Sequence, residues 1–261
     1  MALVFLPAAD IPRFVGEGNV DLAITGQDMV AEADVNDLIE EICPLGFGKC
    51  KLQVQVPIKS NIKTVEELCG KKIVTSFEVI SKRFFEDLDS KALSPNGQDQ
   101  DESKTKGTII EYIGGSVEAA CALGLADGIV DLVESGETMR AAGLHAIHTL
   151  MTSEAVLIKS TRKPRGETQR LLTELVTSRI KGVVAAARYV LCQYNIKRER
   201  LPEAIKLTPG RRSATVSPLE DETWVAVSAM VPKKDSATVM DQLEKIDACD
   251  IFLIDLANCR V

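Results

Sequence analysis

Short apolar segments alternate with short helical segments along most of this chain, and this alternation constrains the fold more than any other feature. It is clearest in residues 10–26, DIPRFVGEGNVDLAITG, where a proline opens a helix at Ile11–Val15, two glycines end it, and the apolar segment Val20–Ile24 follows. With Leu3–Leu6 as a preceding strand, the segment reads as a β-α-β unit, a layout that favours parallel strands. The sequence therefore predicts an α/β protein.

The same pattern continues through the middle of the chain. Period-two alternation or short apolar runs predict strands at Cys50–Pro57, 71–77, 108–114 and Gly128–Val133, and two more within Ala146–Ile158. Helical spacing and glycine stops predict helices at Gln27–Glu32, Val65–Gly70, 79–88, Val117–Leu123 and Glu167–Tyr194. The polar segment Ser94–Thr108 is interpreted as a solvated surface insertion.

The last part of the chain has a different order of elements. Strand and helix patterns alternate there as β-α-β-β-α-β, which is the ferredoxin-like order. The predicted elements are Gln193–Lys197, Leu201–Leu207, 213–219, 223–232, Ser236–Ile246 and Asp250–Leu256.

Charge and cysteine content exclude several classes of protein. The formal net charge of −7 argues against a dedicated nucleic-acid binder, which normally presents a basic face. No apolar run approaches the roughly 20 residues that a membrane-spanning helix needs. The seven cysteines are odd in number and include no Cys-x-x-Cys pair, which is typical of reduced thiols in an intracellular protein. We therefore predict a cytoplasmic protein without a membrane or nucleic-acid partner.

A candidate anion-binding loop follows the strand at Gly128–Val133. Ser135 is a plausible N-cap, Gly136 allows close backbone approach, and Thr138 supplies a second hydroxyl. Exposed amides at a helix start suit a phosphate. Asp131 and Glu134 are poor phosphate ligands, but they suit the hydroxyls of a neighbouring sugar. A pentose 5-phosphate satisfies both halves of the motif, whereas ordinary helix capping explains only the hydroxyls and the glycine.

The segment around this loop resembles a known signature. Residues 118–139, EAACALGLADGIVDLVESGETM, are similar to the signature of ATP phosphoribosyltransferase, the enzyme that opens histidine biosynthesis. Residues 10–28 and 45–52 also resemble segments of its first lobe, and residues 214–231 resemble the regulatory domain of its long form. The chain departs from the family at Phe77-Glu78, where many members have Tyr-Pro. The signature matches at Glu118, Gly124, Ala126, Ile129, Asp131, Leu132, Ser135, Gly136, Thr138 and Met139.

The resemblance implies an architecture. A two-lobed catalytic unit like the type II periplasmic binding proteins is expected, followed by a ferredoxin-like (ACT-like) regulatory domain. Residues 1–50 and 154–190 would form lobe I, residues 51–153 lobe II, and residues 191–261 the regulatory domain. Relative to the family, the segment before Leu3–Leu6 is expected to be missing, including a strand and a basic loop that helps to hold the substrates. Activity of a chain lacking that loop is therefore an open point.

The resemblance also implies chemistry and site residues. The family transfers phosphoribosyl from phosphoribosyl pyrophosphate to N1 of ATP, uses Mg²⁺, is inhibited by histidine, and assembles into homo-oligomers (dimers and hexamers). Asp131 and Glu134 would hold the ribose hydroxyls, and no protein ligand to the metal is assigned. The expected 5-phosphate loop is Ser135, Gly136, Glu137 and Thr138. The expected ATP or pyrophosphate contacts are Ser116, Glu118, Lys51, Lys82 and Arg83. The expected histidine contacts are Ser217, Leu219 and Asp221.

Two alternatives remain open from the sequence. Prephenate dehydratase also joins a two-lobed unit to a regulatory domain, but its Thr-Arg-Phe signature is not matched, since Lys163 follows Thr161-Arg162. The chain could also be an impaired fragment of the ATP phosphoribosyltransferase family, or a binding or regulatory subunit without turnover. A turnover assay with ATP, Mg²⁺ and phosphoribosyl pyrophosphate separates these alternatives.

Overall fold

The computed structural model of the protein describes residues 1–92, 107–162 and 166–260. The predicted surface insertion at Ser94–Thr108 lies outside these residues except for its last two positions. The chain divides into two compact units, Met1–Arg165 and Gly166–Val261. The three-domain division expected from the family resemblance stays a prediction.

The first unit contains two sheets and several short helices. Its elements in chain order are α1 (Ile11–Gly16), β1 (Leu22–Gly26), α2 (Gln27–Glu32), β2 (Ile39–Pro44), β3 (Cys50–Pro57), β4 (Lys72–Thr75), α3 (Glu78–Ala92), β5 (Ile109–Tyr112), α4 (Ala119–Ala122), β6 (Gly128–Val133), α5 (Glu137–Ala141), β7 (Leu144–Ser153) and β8 (Ala155–Ser160). The segment predicted as a helix at Val65–Gly70 is a 3₁₀ turn at Val65–Leu68, closed by a capping box between Thr64 and Glu67.

The smaller sheet of this unit has the strand order β1-β8-β2, and both pairings are antiparallel. The predicted strand at Leu3–Leu6 is wrong, because this segment forms no regular structure. Leu3, Val4 and Phe5 are 81%, 63% and 88% exposed. An apolar segment becomes a strand only where a neighbour pairs with its backbone, and the described residues give it none. The parallel β-α-β unit expected at the start of the chain therefore does not form.

The larger sheet has the strand order β5-β4-β6-β3-β7. β4 runs parallel to both β5 and β6, whereas β3 is antiparallel to β6 and β7. The helix α3 covers one face of this sheet, and its predicted apolar stripe of Ile80, Phe84 and Leu88 packs against the core. The fully buried core side chains in this region are Leu52, Val54, Val56, Leu68, Ile73 and Val130.

The second unit begins with α6 (Glu167–Ala187), which is shorter than predicted. The chain leaves the helix there and continues as β9 (Tyr189–Lys197), in which every second residue is buried. That alternation buries Val190, Cys192, Tyr194 and Ile196 in one core. The predicted helix through Tyr194 is therefore wrong, because period-two burial in the sheet outweighs the local helical preference.

The rest of the second unit confirms the ferredoxin-like order. The elements are β9, α7 (Leu201–Leu207), β10 (Thr215–Pro218), β11 (Trp224–Pro232), α8 (Ser236–Glu244) and β12 (Cys249–Asp255). The sheet order is β10-β11-β9-β12 with antiparallel pairing throughout. In the part of the chain that the structure describes, no helix has the length and apolarity needed to span a bilayer.

Candidate functional site

The parallel strands of the larger sheet bring three loops to one edge. β4, β5 and β6 point the same way, so the segments that follow them begin at the same side of the sheet. β4 lies between β5 and β6, which means that the chain crosses from one side of β4 to the other after β5. In open α/β sheets, ligands bind at this kind of topological switch point, beyond the carboxyl ends of the strands. The predicted anion loop is one of these three segments.

Asp131 lies near the end of β6 and is half-buried. Its carboxylate accepts a hydrogen bond from the backbone N–H of Leu132 at 2.8 Å. Burial raises the pKa of Asp131, the negative charge of Glu118 raises it further, and the bond from Leu132 opposes both effects. Glu118, in the segment after β5, therefore lies close enough to Asp131 for its charge to act on that carboxyl group.

The turn after Asp131 is built around Gly136. Gly136 has a left-handed backbone (φ 75°) and is the N-cap of α5, a position that the sequence assigned to Ser135. Ser135 still caps with its side chain, since its Oγ accepts the backbone N–H of Glu137 at 3.3 Å. Arg140 donates to the carbonyl of Ser135 at 3.2 Å. Glu134, Ser135, Glu137 and Thr138 are all exposed, so the loop is open to a ligand.

The loop after β5 contains Ser116 and Glu118. Ser116 is exposed and has a positive φ of 50°, which is uncommon for a residue other than glycine. Glu118 is half-buried and stands at the N-cap of α4, which is shorter than the helix predicted at Val117–Leu123. The conformation at Ser116 turns the chain at the carboxyl edge of the sheet, after β5.

A pocket of about 430 Å³ lies where the two sheets of the first unit meet. It contains two of the predicted site residues, Lys51 and Glu134. Lys51 is opposite Val133 in the pairing of β3 with β6, so the end of β6 brings Glu134 beside the start of β3. The other lining residues are Gln27, Lys49, Cys50, Val133, Thr152, Ser153 and Glu154. The sequence did not single out any of these seven.

Asp28 and Ser153 form a buried polar pair beside this pocket. Asp28 is 5% exposed and Ser153 is 4% exposed. The hydroxyl of Ser153 accepts the backbone N–H of Asp28 at 3.0 Å and donates to its carboxylate at 2.5 Å. Burial and the charge of Asp28 raise the pKa of the neighbouring Cys50 thiol. The sequence offered one indication of a role for Asp28, which is that it is the last residue of the segment 10–28 that resembles the family.

The predicted cations Lys82 and Arg83 are engaged elsewhere. Both lie on the exposed face of α3. Lys82 pairs with Glu78 at 2.7 Å, one turn earlier on the same helix, and Arg83 pairs with Asp34 at 2.6 Å. Neither residue lines the pocket that contains Lys51 and Glu134. Their role in binding ATP or pyrophosphate stays a prediction.

The predicted histidine contacts lie on the hairpin between β10 and β11. Ser217 is exposed on β10, Leu219 is half-buried, and Asp221 begins the turn. The carboxylate of Asp221 accepts the hydroxyl of Thr223 at 2.6 Å and its backbone N–H at 2.9 Å. These bonds lower the pKa of Asp221. The hairpin therefore presents a fixed carboxylate to solvent.

Two family models match the chain. The model described as ATP phosphoribosyltransferase matches residues 7–182, and the model described as the HisG C-terminal domain matches residues 186–258. The ATP phosphoribosyltransferase of Yarrowia lipolytica is 52% identical over 261 residues, which is all of this chain and 83% of that protein. The enzyme of Saccharomyces cerevisiae is 49% identical over the same length, with the same share of both chains.

A solved structure agrees at the level of the fold. The ATP phosphoribosyl transferase (HisG:HisZ) complex of Thermotoga maritima matches 69% of this chain and 78% of the compared chain, with a TM-score of 0.54 and 20% identity. The predicted fold class is thus confirmed, and the matches favour the family predicted from the signature over prephenate dehydratase. On the two family models and the full-length identity to its relatives, the chain belongs to the ATP phosphoribosyltransferase family.

Proposed function

We propose that this chain transfers the 5-phosphoribosyl group from phosphoribosyl pyrophosphate to N1 of the adenine ring of ATP and releases pyrophosphate, the first step of histidine biosynthesis. The observation that carries the proposal is the arrangement at the end of β6. There the half-buried Asp131 stands three residues before Glu134, and both precede a left-handed turn at Gly136 that opens α5. Groups suited to a sugar and groups suited to a phosphate thus follow one another along a single segment at the edge of the sheet.

The two carboxylates suit the ribose. A carboxylate only accepts hydrogen bonds, and ribose hydroxyls donate them. Asp131 is half-buried, so its bonds to a sugar are less weakened by competing water than bonds on an open surface. Glu134 lines the pocket between the two sheets, where it can reach the second hydroxyl. We assign Asp131 and Glu134 to the ribose 2- and 3-hydroxyls.

The turn after them suits the 5-phosphate. The first backbone N–H groups of a helix lack partners inside the helix, and the amides at the start of α5 follow Gly136 directly. Ser135 and Thr138 add hydroxyl donors beside those amides. We therefore assign residues 135–138 to the 5-phosphate. The helix α5 is short, so its first amides alone do not support the assignment. The hydroxyls of Ser135 and Thr138, and the neighbouring carboxylates assigned to the ribose of the same ligand, support it equally.

The reaction requires positioning more than a covalent nucleophile. The bond from the anomeric carbon of ribose to the pyrophosphate oxygen breaks, the lone pair of adenine N1 forms the new bond, and the sugar is cation-like in between. Carboxylates around the ribose favour that positive charge, and cations around the pyrophosphate favour its departure. Lys51 lines the same pocket as Glu134 and is our candidate for the pyrophosphate or triphosphate, together with Ser116 and Glu118 at the neighbouring loop.

Mg²⁺ fits this site as part of the substrate. Within the described ranges, no cluster of three or more His, Cys, Asp or Glu side chains is arranged to hold a metal ion. Mg²⁺ binds proteins through few carboxylates and keeps phosphate oxygens and water as its other ligands. We therefore expect the ion to arrive bound to the pyrophosphate of the substrate. It would neutralise charge on the leaving group.

Regulation and assembly belong to the same proposal. We propose that free histidine binds at the hairpin of Ser217, Leu219 and Asp221, where the fixed carboxylate can accept a hydrogen bond from the ligand's ammonium group.

Homo-oligomers, dimers or hexamers, follow from the family resemblance, and the relative from Thermotoga maritima is described as a complex. The cytoplasmic location predicted from the sequence stays a prediction; all seven cysteines are free thiols.

The experiment compares wild type with the double variant Asp131→Ala, Glu134→Ala. We expect wild type to form the new purine product from ATP and phosphoribosyl pyrophosphate, followed by absorbance, and the variant to lose both turnover and calorimetric binding of phosphoribosyl pyrophosphate. The matched control is Glu86→Ala, Asp87→Ala, which removes two exposed negative charges from α3 and should behave like wild type. Unchanged affinity in the first double variant would refute the sugar-binding role. Binding without turnover in wild type would favour a binding subunit instead.

A further inference from the structure

Helix α2 bridges the two sheets of the first unit. At its start, the backbone N–H of Gln27 donates to the carbonyl of Glu154 at 3.2 Å, and Asp28 forms its buried pair with Ser153. Ser153 ends β7 of the larger sheet, and Glu154 leads into β8 of the smaller one. The first turn of α2 is therefore fixed to the point where the chain passes between the sheets.

The other end of α2 contacts helix α3, which packs on the larger sheet, through Glu32. Its two carboxylate oxygens accept the backbone N–H groups of Val79 at 2.9 Å and Ile80 at 3.1 Å. These amides belong to the first turn of α3, where the helix has no acceptors of its own. A carboxylate at this end also interacts favourably with the helix dipole. Glu32 thus caps, from 47 residues away in the sequence, a 15-residue helix.

The sequence around α3 explains why its cap comes from elsewhere. Phe77 directly precedes the helix and has no side-chain acceptor. The hydroxyl of Thr75 accepts the N–H of Phe77 at 2.8 Å and donates to the carbonyl of Val130 at 2.8 Å, so it is directed at the turn before the helix and at β6. Glu78 pairs with Lys82 along the outer face of the helix. The charged acceptor that reaches the first turn is therefore Glu32.

The same contacts connect Glu32 to the proposed site. Residues 75–78 form the segment at the carboxyl end of β4, the central strand of the parallel part of the sheet. Thr75 bonds to Val130, which immediately precedes Asp131 on β6. The cap on α3 thus fixes the start of the helix, the start of the helix fixes the turn at Phe77, and Thr75 connects that turn to the strand that carries Asp131.

We propose that Glu32 is a positioning residue of the catalytic cleft: by capping α3, it holds residues 75–78 in register with the end of β6 and so places Asp131 against the substrate ribose. This inference rests on the proposed function, because it assigns Glu32 to the same cleft. Glu32 itself is expected to touch neither substrate. It acts through the backbone of α3 and through Thr75.

The test compares Glu32→Ala, Glu32→Gln and wild type by steady-state kinetics, at a temperature well below the thermal unfolding midpoint of every variant. Glu32→Ala should lower kcat/KM for phosphoribosyl pyrophosphate about tenfold, because Asp131 is then less well placed against the ribose in the transition state. Glu32→Gln retains one oxygen acceptor and should recover about half of that loss on a logarithmic scale. Amide hydrogen exchange at Val79, Ile80 and Asp131 should be faster in the Ala variant than in wild type.

The control variant is Glu17→Ala. Glu17 directly follows α1, which has six residues like α2, and among the described residues its carboxylate bonds within its own segment, to Arg13 at 2.9 Å and to Asn19 at 3.0 Å. It should leave kinetics and exchange at these three amides unchanged. Faster exchange at Val79 and Ile80 with unchanged kcat/KM would show a cap that does not position the site, and would overturn the proposal. If wild type neither binds nor converts phosphoribosyl pyrophosphate, the proposed function fails; unchanged exchange at Asp131 in Glu32→Ala overturns the positioning role by itself.

Discussion

The glycines at the two ends of α5 allow a matched test of the phosphate loop. Gly136 begins this five-residue helix with φ 75°, and Gly143 follows it with φ 69°. Both positions lie in the left-handed region, which costs an L-residue roughly 1–2 kcal/mol. Alanine recovers about 0.4–1 kcal/mol of this by restricting the unfolded chain. Each Gly→Ala variant should therefore lose about 1 kcal/mol of stability, or about 2–4 °C in Tm for a unit of this size.

The two variants differ in their surroundings. A Cβ at Gly143 meets nothing within 4 Å, whereas a Cβ at Gly136 lies 2.9 Å from Nη1 of Arg140. Arg140 can move away, but it then gives up its bond to the carbonyl of Ser135, which is worth about 0.5 kcal/mol at an exposed site. The turn that orients the proposed phosphate donors is thus disturbed only by Gly136→Ala. Losing one hydrogen bond to a charged phosphate costs about 1.5–3 kcal/mol, which is about tenfold or more in affinity.

Calorimetry with phosphoribosyl pyrophosphate and thermal unfolding together decide the outcome. Both variants should unfold a few degrees below wild type, and Gly136→Ala should bind phosphoribosyl pyrophosphate at least about tenfold more weakly, while Gly143→Ala binds it like wild type. Equal affinity in the two variants would refute the reasoning, whether both keep the wild-type affinity or both lose it. Loss in Gly143→Ala alone would place the phosphate at the opposite end of the helix.

Four further predictions concern individual residues of the proposed sites. Thr138→Val should weaken phosphoribosyl pyrophosphate binding more than ATP binding in calorimetry, since it removes a hydroxyl assigned to the 5-phosphate; equal losses would count against that placement. Because the pKa of Asp131 is raised, this group favours the folded state at low pH, and that contribution to stability is lost as pH rises through the folded pKa. Sugar binding needs the carboxylate form of Asp131. The affinity for phosphoribosyl pyrophosphate should therefore fall as pH drops through the same pKa. Glu118→Gln removes one cause of the raised pKa of Asp131. In a pH titration of affinity, the loss of binding on acidification should therefore occur at lower pH in this variant than in wild type. Saturating histidine should raise the Tm of wild type, and Asp221→Ala should remove most of that shift; no shift in wild type would exclude the effector site.

Elements with a strong local signal were predictable. The strand β3 and the helical stripe of α3 appear in the structure as predicted, because the spacing of apolar residues in a strand or along one side of a helix leaves a trace in the order of residues. Tyr189–Lys197 shows the limit of that signal. Its residues suit a helix as well as a strand, and the segment becomes a strand because two neighbouring strands, β11 and β12, form backbone hydrogen bonds with it.

The acids and hydroxyls of residues 131–138 could be selected from the sequence, because a strand, two carboxylates and a glycine turn follow one another in a single segment. Asp28, Ser153 and Glu32 could not. Each acts through a partner 47 or more residues away, and a sequence contains no direct record of such distances.

By itself, the sequence determined the class of the fold, the family and the segment that carries the proposed ribose and phosphate contacts, because each depends on residues close together in the chain. Tertiary structure alone decided that the start of the chain is not a strand, that Lys82 and Arg83 pair with nearby acids, and that Glu32 caps α3. The physical reason is that hydrogen bonds, burial and ion pairing are satisfied by whichever partner the fold brings near, and that partner is fixed only when the sheets have formed.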